Sequence, residues 1–107
     1  MENRWRDIVP AALVKPLRCC FMGKKAKFSV SALSFFNVVF PTYCKIQVDT
    51  EGDALSFQFR GNKEPGLNLI DREGAVYVGR ALSNLGRDGV HGTYDITVDG
   101  DRAVVKF

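Results

Sequence analysis

One pattern is written twice in this chain: two alternating runs joined by a short acidic turn that holds one glycine. Tyr43-Cys44-Lys45-Ile46-Gln47-Val48 and Leu55-Ser56-Phe57-Gln58-Phe59 flank Asp49-Thr50-Glu51-Gly52-Asp53. Tyr94-Asp95-Ile96-Thr97-Val98 and Ala103-Val104-Val105-Lys106-Phe107 flank Asp99-Gly100-Asp101. Alternation with a period of two marks a strand with one buried face, and a polar turn with Gly between two such runs marks a β-hairpin. The turns and second strands align without a gap, Glu51-Gly52-Asp53 on Asp99-Gly100-Asp101 and onward to Phe59 on Phe107. The same register puts Ile46 on Tyr94 and Val48 on Ile96. Upstream, Ala32-Leu33-Ser34 sits near Ala81-Leu82-Ser83, one residue out of register. Each half reads strand, short helix, hairpin, over 28–59 and 76–107, and such self-similarity predicts an internal duplication.

The remaining segments fit this plan. Phe28, Val30 and Ala32 alternate with Ser29 and Ser31, as in a strand. The apolar run 33–40 also fits a short helix through Leu33, Phe36 and Val39 or Phe40, which Pro41 would end. Arg60-Gly61-Asn62-Lys63-Glu64-Pro65-Gly66 is a loop by composition. Leu67, Leu69 and Ile70 suggest a short strand, Asp71-Arg72-Glu73-Gly74 a turn, and 75–78 another strand. Residues 80–85 fit a short helix, with Gly86 suited to its C-terminal cap, and 89–92 read as a loop. The predicted fold is α+β and β-rich: a small twisted sheet or partly open barrel of two strand–short helix–hairpin units, with an N-terminal arm. At 107 residues this is one domain with enough core to need no disulfide or metal.

Charge separates the arm from the body. Residues 1–27 hold seven Lys and Arg against Glu2 and Asp7, whereas 28–107 hold eight basic residues against ten acidic. The positive balance thus lies in a basic N-terminal arm, 1–27, and the body, 28–107, is mildly acidic. Such an arm steers toward polyanions. Pro10 and Pro16 limit helix there to short pieces, such as one turn over 11–14. Gly23-Lys24-Lys25 reads as a flexible junction. Glu2 and Asp7 among the arginines, and Lys15 interrupting the apolar stretch 8–14, do not read as a secretory leader, so the expected localisation is cytoplasmic. No apolar run reaches the length of a membrane helix, and no membrane partner is expected.

Little in the sequence points to catalysis. His91 is the single histidine, in a Gly-flanked loop, and nothing in the spacing joins it to Cys44 as a nucleophile–base pair. Cys19-Cys20, Cys44 and His91 lack the paired spacing of a zinc site. The odd number of cysteines fits reduced thiols better than a disulfide framework. The acidic turns lack the alternating ligands and closing Glu of a calcium loop. Neither a phosphate loop nor a dinucleotide fingerprint is present. The expectation is a binding protein without catalytic residues, cofactor or metal.

The strand, short helix, Gly loop and acidic-Gly hairpin of each half resemble the swapped-hairpin units of AbrB-like transcription factors and antitoxins. The segments that carry the likeness are Val76-Tyr77-Val78-Gly79-Arg80-Ala81-Leu82-Ser83-Asn84-Leu85-Gly86 and Gly92-Thr93-Tyr94-Asp95-Ile96-Thr97-Val98. Two units in one chain would resemble the MraZ arrangement, although its Asp-x-x-x-Arg pattern is absent and Ser29 and Ser31 stand where Arg or Lys would be usual. The resemblance implies a nucleic-acid-binding regulator that acts by backbone and groove contacts. Arg72, Arg80 and Arg87, with Lys24, Lys25 and Lys27, are the candidate phosphate contacts. The alternative partner is a host protein. In size and composition the chain is similar to small proteins of phages and mobile elements, and it could inhibit a defence-system or transcription component. Trp5 and Phe21, in a mostly exposed arm, would then be the anchors. Unpaired sheet edges would also allow a homodimer.

Overall fold

In the computed structural model the described residues are 16–107. They form, in chain order, β1 (Arg18–Met22), β2 (Lys25–Phe28), α1 (Val30–Phe35), β3 (Thr42–Asp49), β4 (Ala54–Arg60), β5 (Asn68–Ile70), β6 (Ala75–Tyr77), α2 (Gly79–Asn84), β7 (His91–Asp95), β8 (Thr97–Asp99) and β9 (Arg102–Lys106). The strands make two antiparallel sheets, ordered β6-β2-β1-β7 and β5-β3-β4-β9-β8. The expected single sheet or part-open barrel is therefore two sheets, not closed into a barrel. No helix among the described residues is long and apolar enough to cross a membrane.

Alternation decides which face of each sheet is covered. Cys19 and Phe21 of β1 and Ala26 and Phe28 of β2 are buried, while their neighbours are exposed or half-buried. In the other sheet Cys44, Leu55, Phe57, Ala103 and Val105 are buried in the same way. The two inner faces share one core, completed by Ile70, Val76, Val78, Ala32 and Leu82. Phe28 bridges the sheets, its ring edge-on to Phe57 at 5.0 Å and to Phe59 at 5.1 Å. Phe21 likewise reaches Phe107, just past β9, at 5.3 Å, and packs edge-on against Tyr94 of its own sheet at 5.6 Å. Edge-to-face rings place the positive rim of one on the negative face of the other, so these contacts orient the sheets as well as bury area.

The first two strands correct the expected extent of the arm. Residues 18–28 belong to the sheet, and what precedes Pro16 lies outside the described residues. Gly23-Lys24 is a two-residue hairpin turn, since Met22 pairs with Lys25. Gly23 takes φ +66°, as the first central residue of such a turn requires, and the Lys24 carbonyl accepts the Val78 N–H at 2.7 Å. The junction is thus tied into the sheet.

The strand expected over 28–32 stops at Phe28 because Ser29 starts a helix. Its hydroxyl accepts the Ala32 N–H at 3.2 Å, an N-cap, and α1 begins at Val30. The helix also ends earlier than Pro41 would demand. Asn37 turns left-handed at φ 53°, its N–H bonding to the Ser34 carbonyl and that of Val38 to the Leu33 carbonyl. At the end of α2, Gly86 takes φ +65° and the Gly86 and Arg87 N–H groups bond to Ser83 and Leu82. Both helices therefore close with the same Schellman pair, one on Asn and one on the Gly that the sequence marks.

The run 94–98 is also divided. Tyr94 and Asp95 pair with β1, the Ile96 N–H bonds to the Leu17 carbonyl, and Thr97 onward pairs with β9. One alternating segment thus serves both sheets. One pair that matches in the alignment also meets in space: Ser56 faces Val104 in the β4–β9 ladder.

Candidate nucleic-acid interface

Residues opposite each other in an antiparallel pair point to the same side of a sheet, so the register shows which side chains meet. Across β6-β2-β1-β7 one row on the outer side reads Tyr77, Lys25, Met22, His91. A second row reads Ala75, Lys27, Cys20, Thr93, and beyond it Arg18 faces Asp95. The inner side of the same strands is the core, so this side faces solvent. Tyr77 and Met22 are each 49% exposed, a large apolar contribution for an uncovered sheet face.

The charges on this face are mostly cations held by rigid strands. Arg18 Nε lies 3.3 Å from Asp95 Oδ1, an exposed pair. Lys25 and Lys27 stand near Asp71, which closes the β5–β6 turn by accepting the N–H groups of Glu73 and Ala75 at 2.9 and 3.0 Å. The Ala75 N–H is the main cause that holds the Asp71 carboxyl below the usual range. Partial desolvation opposes it, and the Glu73 N–H and the charges of Lys25 and Lys27 add to it. At one end, Arg18, Lys27 and Arg72 border an open concavity of about 670 Å³ with Ser29, Thr93, Glu73, Cys20, Phe28, Val30 and Leu33. Tyr77 and Arg80 line a second hollow, of about 440 Å³, with Asn68, Asn84, Ile46 and Val48. The Tyr77 ring lies against Gly79 at the start of α2, where a Cβ would come within 2.7 Å of its Cζ.

The residues marked in the sequence divide accordingly. Lys25 and Lys27 are on the outer face, Lys24 is exposed at the hairpin tip, Arg72 borders the concavity and Arg80 adjoins Tyr77. Arg87 is engaged elsewhere: its guanidinium holds Asp53 and lies 5.8 Å from the Phe107 ring centre. Phe21 cannot anchor a partner, because it is 1% exposed and packs between Tyr94 and Phe107. Its place in an alternating strand explains why the arm reading fails there. Trp5 lies outside the described residues. Arg18, Met22, Tyr77 and His91 escaped the sequence reading, and the signal for the first two was the alternation of β1 hidden inside a basic stretch.

Cys44 and His91 are not brought together for nucleophilic chemistry. Cys44 is buried on the inner side of β3, and burial pushes its thiol up to about 12. His91 is exposed at the start of β7, on the outer side of the other sheet. Cys19 is likewise buried, its thiol raised to about 12 first by burial and then by Cys20 and Cys44. No group of three or more His, Cys, Asp or Glu that could hold a metal ion occurs among the described residues. Comparison with protein-family models, curated proteins and solved structures found no match.

Proposed function

We propose that this protein is a nucleic-acid-binding regulator without catalytic activity, which grips the phosphate backbone through the outer face of β6-β2-β1-β7. The observation that carries the reading is the convergence of Lys25, Lys27, Arg18 and Arg72 on one solvent-facing sheet surface. Cations fixed on strands neutralise phosphates and release the counterions condensed on the nucleic acid, which supplies a large part of the affinity in such interfaces. The AbrB-like reading, with two strand–short helix–hairpin units in one chain, draws support from the matched pair Ser56–Val104 and from the shared helix ending. Binding of labelled mixed-sequence oligonucleotides, followed by fluorescence anisotropy and titrated with salt, tests this function. The expected result is an affinity that falls linearly on a log–log plot, with a slope that becomes shallower in Lys25→Gln/Lys27→Gln. No binding at low salt would overturn it.

A second reading, a phage or mobile-element protein that binds and inhibits a host protein, is favoured by one observation. Val30, Phe35 and Val39 are 82%, 55% and 77% exposed, on and just after α1. Exposed apolar side chains of this size mark protein contacts when they form one patch. A specific host protein retained by the wild type and lost with Phe35→Ser would favour it over the first.

A further inference from the structure

We infer that the outer face of β6-β2-β1-β7 binds single-stranded rather than duplex nucleic acid, with Tyr77 stacking on a base and Lys25, Lys27 and Arg18 following the phosphates. This rests on the nucleic-acid reading above and names its ligand class.

Shape carries the first part. Four strands at about 4.8 Å spacing span about 14 Å before side chains are added. The major groove, about 12 Å wide, admits a helix or a two-stranded ribbon. The β1–β2 ribbon has β7 on one side and β6 on the other, so it cannot enter a groove alone. Nor do the helices replace it. Val30–Phe35 holds no basic residue, and Gly79–Asn84 holds Arg80 alone. At six residues each helix is about 9 Å long, less than two turns. A duplex could touch this face only through its backbones.

Chemistry carries the second part. A single strand offers unstacked base faces beside its phosphates, and sheet surfaces that bind one pair cations with an aromatic ring. Here the ring and the cation are direct cross-strand partners, Tyr77 opposite Lys25, with the apolar Met22 next in the row. Tyr77 is half exposed and rests on Gly79, which leaves the ring free to be covered. Arg80 lines the same hollow as Tyr77, and Arg18, Lys27 and Arg72 border the concavity at the other end, so a strand crossing the face meets cations at both ends of its path.

The experiment uses the full chain and one short mixed-sequence oligonucleotide, labelled, as a single strand and annealed to its complement. Anisotropy at equal salt is expected to show at least about tenfold tighter binding of the single strand. Tyr77→Ala is expected to lose about tenfold for the single strand, the usual effect of removing one stacked base. Tyr77→Phe, which keeps the ring, retains the affinity. Alkylation of Cys20, which sits on this face beside Lys27, is expected to slow when the single strand is bound. Equal or tighter duplex binding overturns the inference and leaves the nucleic-acid reading standing. So does an unchanged affinity in a Tyr77→Ala variant with an intact circular dichroism spectrum, or an unprotected Cys20. Failure of both oligonucleotides to bind overturns both.

Discussion

The Arg87 guanidinium clasps Asp53 with Nε and a terminal nitrogen and at the same time lies over the Phe107 ring, so one cation ties the segment after α2 to the β3–β4 turn and to the residue that follows β9. The Asp53 carboxyl is held below its usual range, first by the hydrogen bond from Arg87 and also by its charge, against partial desolvation. A carboxyl with a lowered folded pKa stabilises the fold above its unfolded value, about 3.9, and the contribution is lost as pH falls through the lower folded value. Asp71, lowered by its turn, acts in the same direction. Urea midpoints should therefore fall as pH drops below about 4, and Asp53→Asn should flatten that fall. Asn tolerates the left-handed φ of 50° found at this position, so the substitution removes the charge and one of the two hydrogen bonds from Arg87 without straining the backbone. An unchanged acid slope in Asp53→Asn would refute the assignment.

Ser29 is the hinge between strand and helix. Its hydroxyl caps α1, accepts the Arg18 N–H at 3.2 Å and lies 3.0 Å from the Ser31 hydroxyl. Ser29→Ala should destabilise the protein by about 0.5–2 kcal/mol in urea unfolding, the usual cost of a lost N-cap.

Gly74 is needed where it stands. Its φ is +84°, and an added Cβ would lie 2.8 Å from Leu33 Cδ1, a side chain packed against the core. Gly74→Ala should cost about 1–3 kcal/mol, from left-handed backbone and forced repacking together. Gly61, with open space around it, should accept Ala within about 0.5 kcal/mol, and calorimetry of the pair separates position from residue type.

Thiol accessibility offers a check on the fold itself. Cys19 and Cys44 are 0% exposed with raised pKa values, while Cys20 is half-buried on the outer face. Alkylation of the native protein should modify Cys20 and spare the other two until the protein unfolds, as mass spectrometry would record. Early labelling of Cys19 would mean that β1 is not in the sheet.

The second strands of both hairpins, the Gly86 ending and the short helix before it were legible because local pattern and turn chemistry agree there. The β1–β2 hairpin was not, although Cys19, Phe21, Ala26 and Phe28 alternate. Lys24, Lys25 and Lys27 dominate the same stretch, and a charge run resembles a solvated leader until its apolar partners are known. The division of 94–98 at Ile96 has no local cause at all, since it follows from the Leu17 carbonyl and from two different neighbours. The candidate face shows the same limit. Lys25 and Lys27 stand out by composition, whereas Tyr77, Met22 and His91 join them only through register across four strands.

The exposed stretch 61–66 joins β4 to β5, and the ladders on its two sides are not independent. β1 pairs with β7, β2 with β6, β3 with β5 and β4 with β9, so each of these ladders has one strand before the stretch and one after it. A protease nick there would not release two separate bodies. The fragments would stay interleaved, each acting as the template that completes the other, and the cut protein would come apart only on unfolding.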